Sequence, residues 1–270
     1  MSGDRLAGQV AIVTGGGRGL GRAMVLGLAA AGARVITTAS REASEIEAVA
    51  REAGDDRVIP ILADVAREED CARVVATAQD RFGRLDILVN NAGRGMKYVS
   101  QQFLTEPTRF WETDPDVWRM VIDTNVNGPF LMSRAAAPVM VAAGRGRIVN
   151  ITMNHATMRR RGFSPYGPSK AALESETIIW AQDLDGTGVT VNGLLPGGAT
   201  ATGMIPDAFP PEARSGLLDP AIMVAPLLWL ASEASDGVTG RRLDASRWRA
   251  DLPEVDAAHA AMDDAGWAAD

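Results

Sequence analysis

The chain has 270 residues, 46% of them hydrophobic and 23% charged, a balance that excludes disordered and fibrous classes. A formal net charge of −7 and a pI of about 5.0 exclude a protein that tracks nucleic-acid phosphates over a broad surface. Cys71 is the only cysteine and His155 and His259 are the only histidines, so neither an internal disulfide nor a metal cluster is expected.

Taken in order, short β-branched runs alternate with amphipathic segments. "QVAIVTG" reads as a strand, "GRAMVLGLAAAGA" as a helix, and "ARVITTA" as a second strand. A helix over "EASEIEAVAREAG", a strand at "VIPILADV", a helix over "EEDCARVVATAQDRFG" and a strand at "LDILVNNAG" follow. One long helix is expected from "DVWRMVIDTN" through "PVMVAAG", suspect in the middle because of Gly128 and Pro129. Then come strand "GRIVNIT", helix "YGPSKAALESETIIWAQDL", strand "GVTVNGLLPG", a helix around "AIMVAPLLWLAS" and a last strand in "GRRLDAS". This rhythm implies an α/β, Rossmann-type doubly wound parallel sheet with helices on both faces. One domain over 1–270 is expected, with irregular substrate loops near 94–116 and 198–220 and a tail at 247–270. Nothing reads as a secretory signal or a membrane span, so a soluble cytoplasmic protein is expected.

The first strand runs into "TGGGRGLG", Thr14–Gly21, and then a helix. Such a turn lets a pyrophosphate approach the backbone at a helix N-terminus. At the end of the second strand, where an NAD site carries a carboxylate, stand Ala39, Ser40 and Arg41. With Arg18 in the turn, two guanidiniums and a hydroxyl suit a 2′-phosphate, so NADP(H) is expected over NAD.

These motifs, with "ADV" after the third strand, "NNAG" after the fourth, the Asn of "WRMVIDTN", "YGPSK", "VNGLLPGG" and "TGRRLDA", resemble the short-chain dehydrogenase/reductase family over nearly the whole chain. The resemblance implies a seven-stranded parallel sheet of order 3-2-1-4-5-6-7 and a homo-oligomer, dimer or tetramer. It implies that Gly15, Arg18, Gly19, Leu20 and Gly21 cradle the dinucleotide and that Asp64 and Val65 flank the adenine. Asn91, Ala92 and Gly93, with Pro196 and Gly197, would lie on the nicotinamide side. Thr200 and Thr202 compete to bind the carboxamide, with Thr202 taken here. Tyr166 would be the acid/base, Lys170 its partner and a ribose ligand, and Asn125 the residue that kinks the long helix and anchors a relay water.

The pairing has a physical reason. A free tyrosine has a pKa near 10, and a lysine four residues on along a helix is expected to favour the phenolate. Pro168 is tolerable only if that helix starts near Tyr166. The family also places a serine thirteen residues before the tyrosine, and here that position is Met153, which cannot donate. Thr152 should face the other side of the strand. Asn154 is the preferred replacement donor and His155 the next, with bonding to their own loop as the plainer alternative. Met96, Tyr98, Phe103, Phe110, Trp111, Met204, Ile205 and Phe209 suggest an apolar pocket. Arg159–Arg161 is either an anion attractor or a solvated turn. The tail, with Trp248 and Trp267, either docks on a neighbouring subunit or frays.

The expected activity is hydride transfer between NADP(H) and a carbonyl or alcohol of a mostly apolar small molecule. Two alternatives stand beside it: a catalytically impaired nucleotide-binding homologue, and an imine or C=C reductase that tolerates the missing serine.

Overall fold

The computed structural model describes residues 5–54, 57–206 and 209–266. The strands are β1 (Val10–Val13), β2 (Arg34–Ala39), β3 (Val58–Leu62), β4 (Ile87–Asn90), β5 (Gly146–Ile151), β6 (Val189–Leu195), β7 (Arg241–Asp244) and β8 (Met262–Asp264). They form one sheet of order β3-β2-β1-β4-β5-β6-β7-β8. The first seven pair in parallel, and β8 joins β7 antiparallel with Leu243 opposite Met262. The expected seven strands are therefore eight. The extra strand comes from the tail, where Met262 packs on the core and the flanking Asp263 and Asp264 pair with Arg247 and Arg241.

Helices cover both faces, because successive strand residues point to opposite sides. Ala11, Val13, Val35, Val89, Val149 and Leu194 meet α1 (Gly19–Ala30), α2 (Ala43–Ala53) and α8 (Val224–Leu230). Val10, Ile12, Ile36, Leu88, Ile148 and Val191 meet α3 (Glu68–Phe82), the helix α5 (Gly128–Ala142) and α7 (Tyr166–Asp183). The strand order reverses between β1 and β4, and the carboxyl ends flanking that point form the crevice where such sheets bind ligands.

The long middle helix is α4 (Pro115–Ile122), a π-helical turn at Asp123–Asn127, and α5. Gly128 and Pro129 stand where the wide turn ends, so the proline's missing N–H falls where the regular ladder is already interrupted. A single turn, α6 (His155–Met158), lies in what reads from sequence as loop. The tail folds onto its own chain. Trp248 packs on the core, α9 (Glu254–Ala261) buries Ala257, Ala258 and Ala261, and Gly266 donates to Glu174. Trp267 lies outside the described residues.

Candidate active site

Three loops converge at the carboxyl ends of the strands. The glycine turn between β1 and α1 is held from the β4 side: Asn91 Nδ2 donates to the carbonyls of Thr14 (2.8 Å) and Gly15 (3.0 Å). Thr14 Oγ1 in turn accepts from the backbone of Asn91 and Ala92, each at 3.0 Å. Gly21 packs so tightly under the turn that a Cβ would overlap the Gly15 carbonyl. Helix α1 begins at Gly19 with Leu20 and Gly21 in its first turn, and Arg18 supplies no side-chain cap, so its first N–H groups remain donors.

Ser40 and Arg41 are exposed just past β2. Arg18 is mostly exposed and pairs with Glu45 at 3.5 Å. Asp64 closes a small turn onto the Ala66 N–H, and Val65 is buried against Gly128. The structure thus brings the glycine turn, the β2 end and the β3 end to one rim.

On the other side of the crevice, Asn125 is fully buried in the π-helical turn. Its side chain accepts from Arg94 N (2.8 Å) and donates to Arg94 O and Ser169 Oγ (3.0 Å each). Ser169 donates to the Tyr166 carbonyl at 2.7 Å. Arg94 is itself buried, its Nε on Thr124 Oγ1 at 3.0 Å and its guanidinium 5.1 Å from the Tyr98 ring. Sequence reasoning passed over Ser169 and Arg94. The spacing of Ser169 within "YGPSK" was a usable signal for the first, and nothing in sequence marks the second.

Helix α7 starts at Tyr166, so Pro168 falls in its first turn, where a missing N–H is tolerated. The Tyr166 ring is half-buried against Met96, Phe103, Met153 and Phe163, and its hydroxyl lies 4.0 Å from Met204 Sδ. Burial pushes this phenol up, to about 12. Lys170 is buried one turn on, donating to the Ile151 carbonyl at 2.6 Å, and burial lowers it to about 8. Lys170 is expected to favour the phenolate; burial instead raises the phenol and lowers the ammonium.

Met153, which counting back from Tyr166 assigns to the serine's place, packs on the same apolar cluster of Met96, Phe103 and Phe163 as Tyr166. Thr152 points the other way, beside Gly193 on β6. Asn154, the preferred replacement donor, caps α6, its Oδ1 accepting from Thr157 N (2.8 Å) and its Nδ2 donating to Gly197 O (3.4 Å). The cap turns the amide toward loop backbone, the plainer of the two expectations for it. His155 faces a buried cluster instead, bonded to Arg242 and 3.5 Å from Glu174 Oε1. Arg242 donates to Met153 O (2.9 Å) and lies 3.4 Å from Glu174 Oε1, so it ties β7 to the loop after β5.

The segment after Pro196 and Gly197 closes over the crevice. Thr202 rests on Gly19, and Met204 lies against Gly93 and Gly95. Thr200 is buried, its hydroxyl turned onto Gly198 O at 3.1 Å.

The pattern of the short chain dehydrogenase family matches residues 9–213. The chain belongs to this family. Among its relatives is a 3-oxoacyl-[acyl-carrier-protein] reductase of Synechocystis sp., 36% identical over 194 residues, covering 71% of this chain and 74% of that one. An "NADPH-dependent aldehyde reductase-like protein, chloroplastic" of Arabidopsis thaliana is 34% identical over 258 residues, covering 87% and 92%. Among solved structures, the 3-ketoacyl-(acyl-carrier-protein) reductase of Brucella melitensis complexed with NADH matches with a TM-score of 0.78 at 29% identity, covering 88% of this chain and 97% of that one. The family is one of oxidoreductases that bind a nicotinamide cofactor and act on small molecules. Among the described residues no helix is long and apolar enough to cross a membrane.

Proposed function

We propose that the protein is an NADP(H)-dependent oxidoreductase acting on a carbonyl or alcohol group of a mostly apolar small molecule, with Tyr166 as the acid/base. The observation that carries this reading is the convergence of Tyr166, Lys170, Asn125 and Ser169 opposite the glycine turn. The residues present fit a dinucleotide: the turn has no room for side chains under it, and the α1 N-terminus is uncapped. A nicotinamide bound there supplies the hydride for reduction, or accepts it for oxidation.

In reduction, Tyr166 gives its proton to the substrate oxygen as the carbonyl carbon gains the hydride's electron pair; oxidation is the reverse. Lys170, donating to Ile151 O, is placed one turn along the same helix face and serves the ribose side. Asn125 and Ser169 fix the first turn of α7. Met96, Phe103, Met153 and Phe163 give Tyr166 an apolar, water-poor surrounding. Arg41, Ser40 and Arg18 favour a 2′-phosphate, since a charge-assisted bond contributes roughly 1.5–3 kcal/mol.

Met153 favours a second reading. With Asn154 turned to its cap and His155 to Arg242, no donor stands in the serine's place among the described residues. Reduction of an imine or an activated C=C bond depends less on that donor. Following NADPH absorbance over ketones, aldehydes, imines and enones separates these: ketone or aldehyde turnover supports the first reading, and turnover of imines or enones alone supports the second. Absence of any turnover overturns both.

A further inference from the structure

One cleft lies outside the machinery described above. Residues 107–111 and residues 158–164 meet on the rim of the apolar cluster around Tyr166 and border an open cleft of about 310 Å³. Its two walls are stitched together, since Thr108 Oγ1 donates to Gly162 O at 2.8 Å. Gly162 has φ +80°, and a Cβ there would lie 2.9 Å from Pro107 Cα, so only glycine lets the walls close this tightly.

The charge of the cleft is mainly positive. Arg109, Arg159, Arg160 and Arg161 line it and, among the described residues, no carboxylate does, although the whole chain carries −7. Arg109 is paired with Glu112 at 3.3 Å just outside it, which leaves the field to the 159–161 run. Concave walls of low dielectric concentrate such a field and draw in ions of the opposite sign. The walls are also aromatic. Phe110 and Trp111 are 66% and 67% exposed, with rings edge to face at 5.2 Å. The Arg160 guanidinium carbon lies over the Phe163 ring, 5.0 Å from its centre, within cation–π range. Phe163 is the partition: it lines the cleft and packs in the cluster with Met153 and Tyr166.

We infer that this cleft is a substrate subsite for an oxyanion. The carbonyl compound carries a carboxylate or phosphate remote from its reacting group, held by Arg160 and Arg161, with its apolar body against Phe110, Trp111 and Phe163. The inference rests on the reading of Tyr166 as the reacting residue, and it narrows the substrate from an apolar carbonyl compound to an acidic one.

The test compares 4-acetylbenzoate with its methyl ester, which lacks the remote charge, at low ionic strength. Wild-type kcat/KM should favour the acid by at least about tenfold, the effect of one charge-assisted contact. The preference should fall toward one in high salt and in the Arg160→Gln/Arg161→Gln double variant. Equal kcat/KM for acid and ester overturns the subsite while leaving the oxidoreductase reading intact. If neither probe is reduced, tryptophan fluorescence decides. Saturable quenching by the acid alone, lost in Trp111→Phe and in the double variant, sustains the subsite although the reductase reading falls. No quenching ends the proposal, and the salt arm on wild type stands even if a variant fails to fold.

Discussion

Asn125 donates to Ser169 Oγ across 3.0 Å, and so joins the π-helical turn to the first turn of the helix that carries Tyr166. With the two bonds to Arg94, one buried amide holds three segments of the crevice. Asn125→Ala leaves the Arg94 N–H and carbonyl without their partner in a buried place. The expected loss is roughly 2–4 kcal/mol of unfolding free energy, from several bonds of about 1 kcal/mol plus the desolvation of the groups left behind. Chemical denaturation measures it, and a loss below about 1 kcal/mol would mean that the network contributes little.

Glu176 gives a pH signature. Its carboxyl is pushed up to about 7 by burial from the usual 4.5, and Oε2 has no hydrogen-bond partner among the described residues. Between those values the native state holds more protons than the unfolded chain, so this group's contribution to stability is full below about pH 4.5 and is lost as pH rises through 7. Glu176→Gln should therefore stabilise the protein by roughly 1–2 kcal/mol at pH 8, allowing for partial exposure, and leave it unchanged near pH 4. Thermal melts of both proteins across pH 4–9 check the sign.

Arg41 tests cofactor choice. Arg41→Ala should weaken NADPH binding by about 10–100-fold and change NADH binding by no more than about threefold, because only the 2′-phosphate loses a charged partner. Titration of cofactor fluorescence measures both constants. Equal weakening of the two would remove the argument for NADP(H).

Met153 packs on the same apolar cluster as Tyr166, and on the proposed reading a hydroxyl there would serve a carbonyl oxygen. Met153→Ser should raise kcat on ketones by about 10–100-fold, the reverse of removing one oxyanion donor. It should also lower the melting temperature, since apolar contact with Phe163 and Phe103 is reduced. Unchanged ketone kcat beside intact imine or enone turnover would favour the second reading.

Much of this fold is legible in the sequence. Continuous apolar strands and glycine-stopped helices placed seven strands and the crevice, because parallel sheets buried on both faces read that way. The suspicion raised by Gly128 and Pro129 in the long helix resolved into a π-helical turn that buries Asn125. What stayed hidden was set by tertiary packing. β8 exists only because the tail meets the β7 edge, with Arg241 and Arg247 reaching its acids. Asn154 reads equally as a substrate donor or a helix cap, and only the one-turn helix after it decides the geometry. The Tyr–Lys spacing conveys a shared helix face but not desolvation, which sends the phenol up and the ammonium down.

On the proposed reading, the Tyr166 hydroxyl moves the proton that accompanies hydride transfer. Tyr166→Phe keeps the ring among Phe103, Phe163 and Met153 and removes only that hydroxyl. Single-turnover hydride transfer, followed by NADPH absorbance beside a parallel cofactor titration, should slow by about 10²–10⁴ with cofactor affinity unchanged within about threefold. A variant that transfers hydride at the wild-type rate would contradict that role for Tyr166.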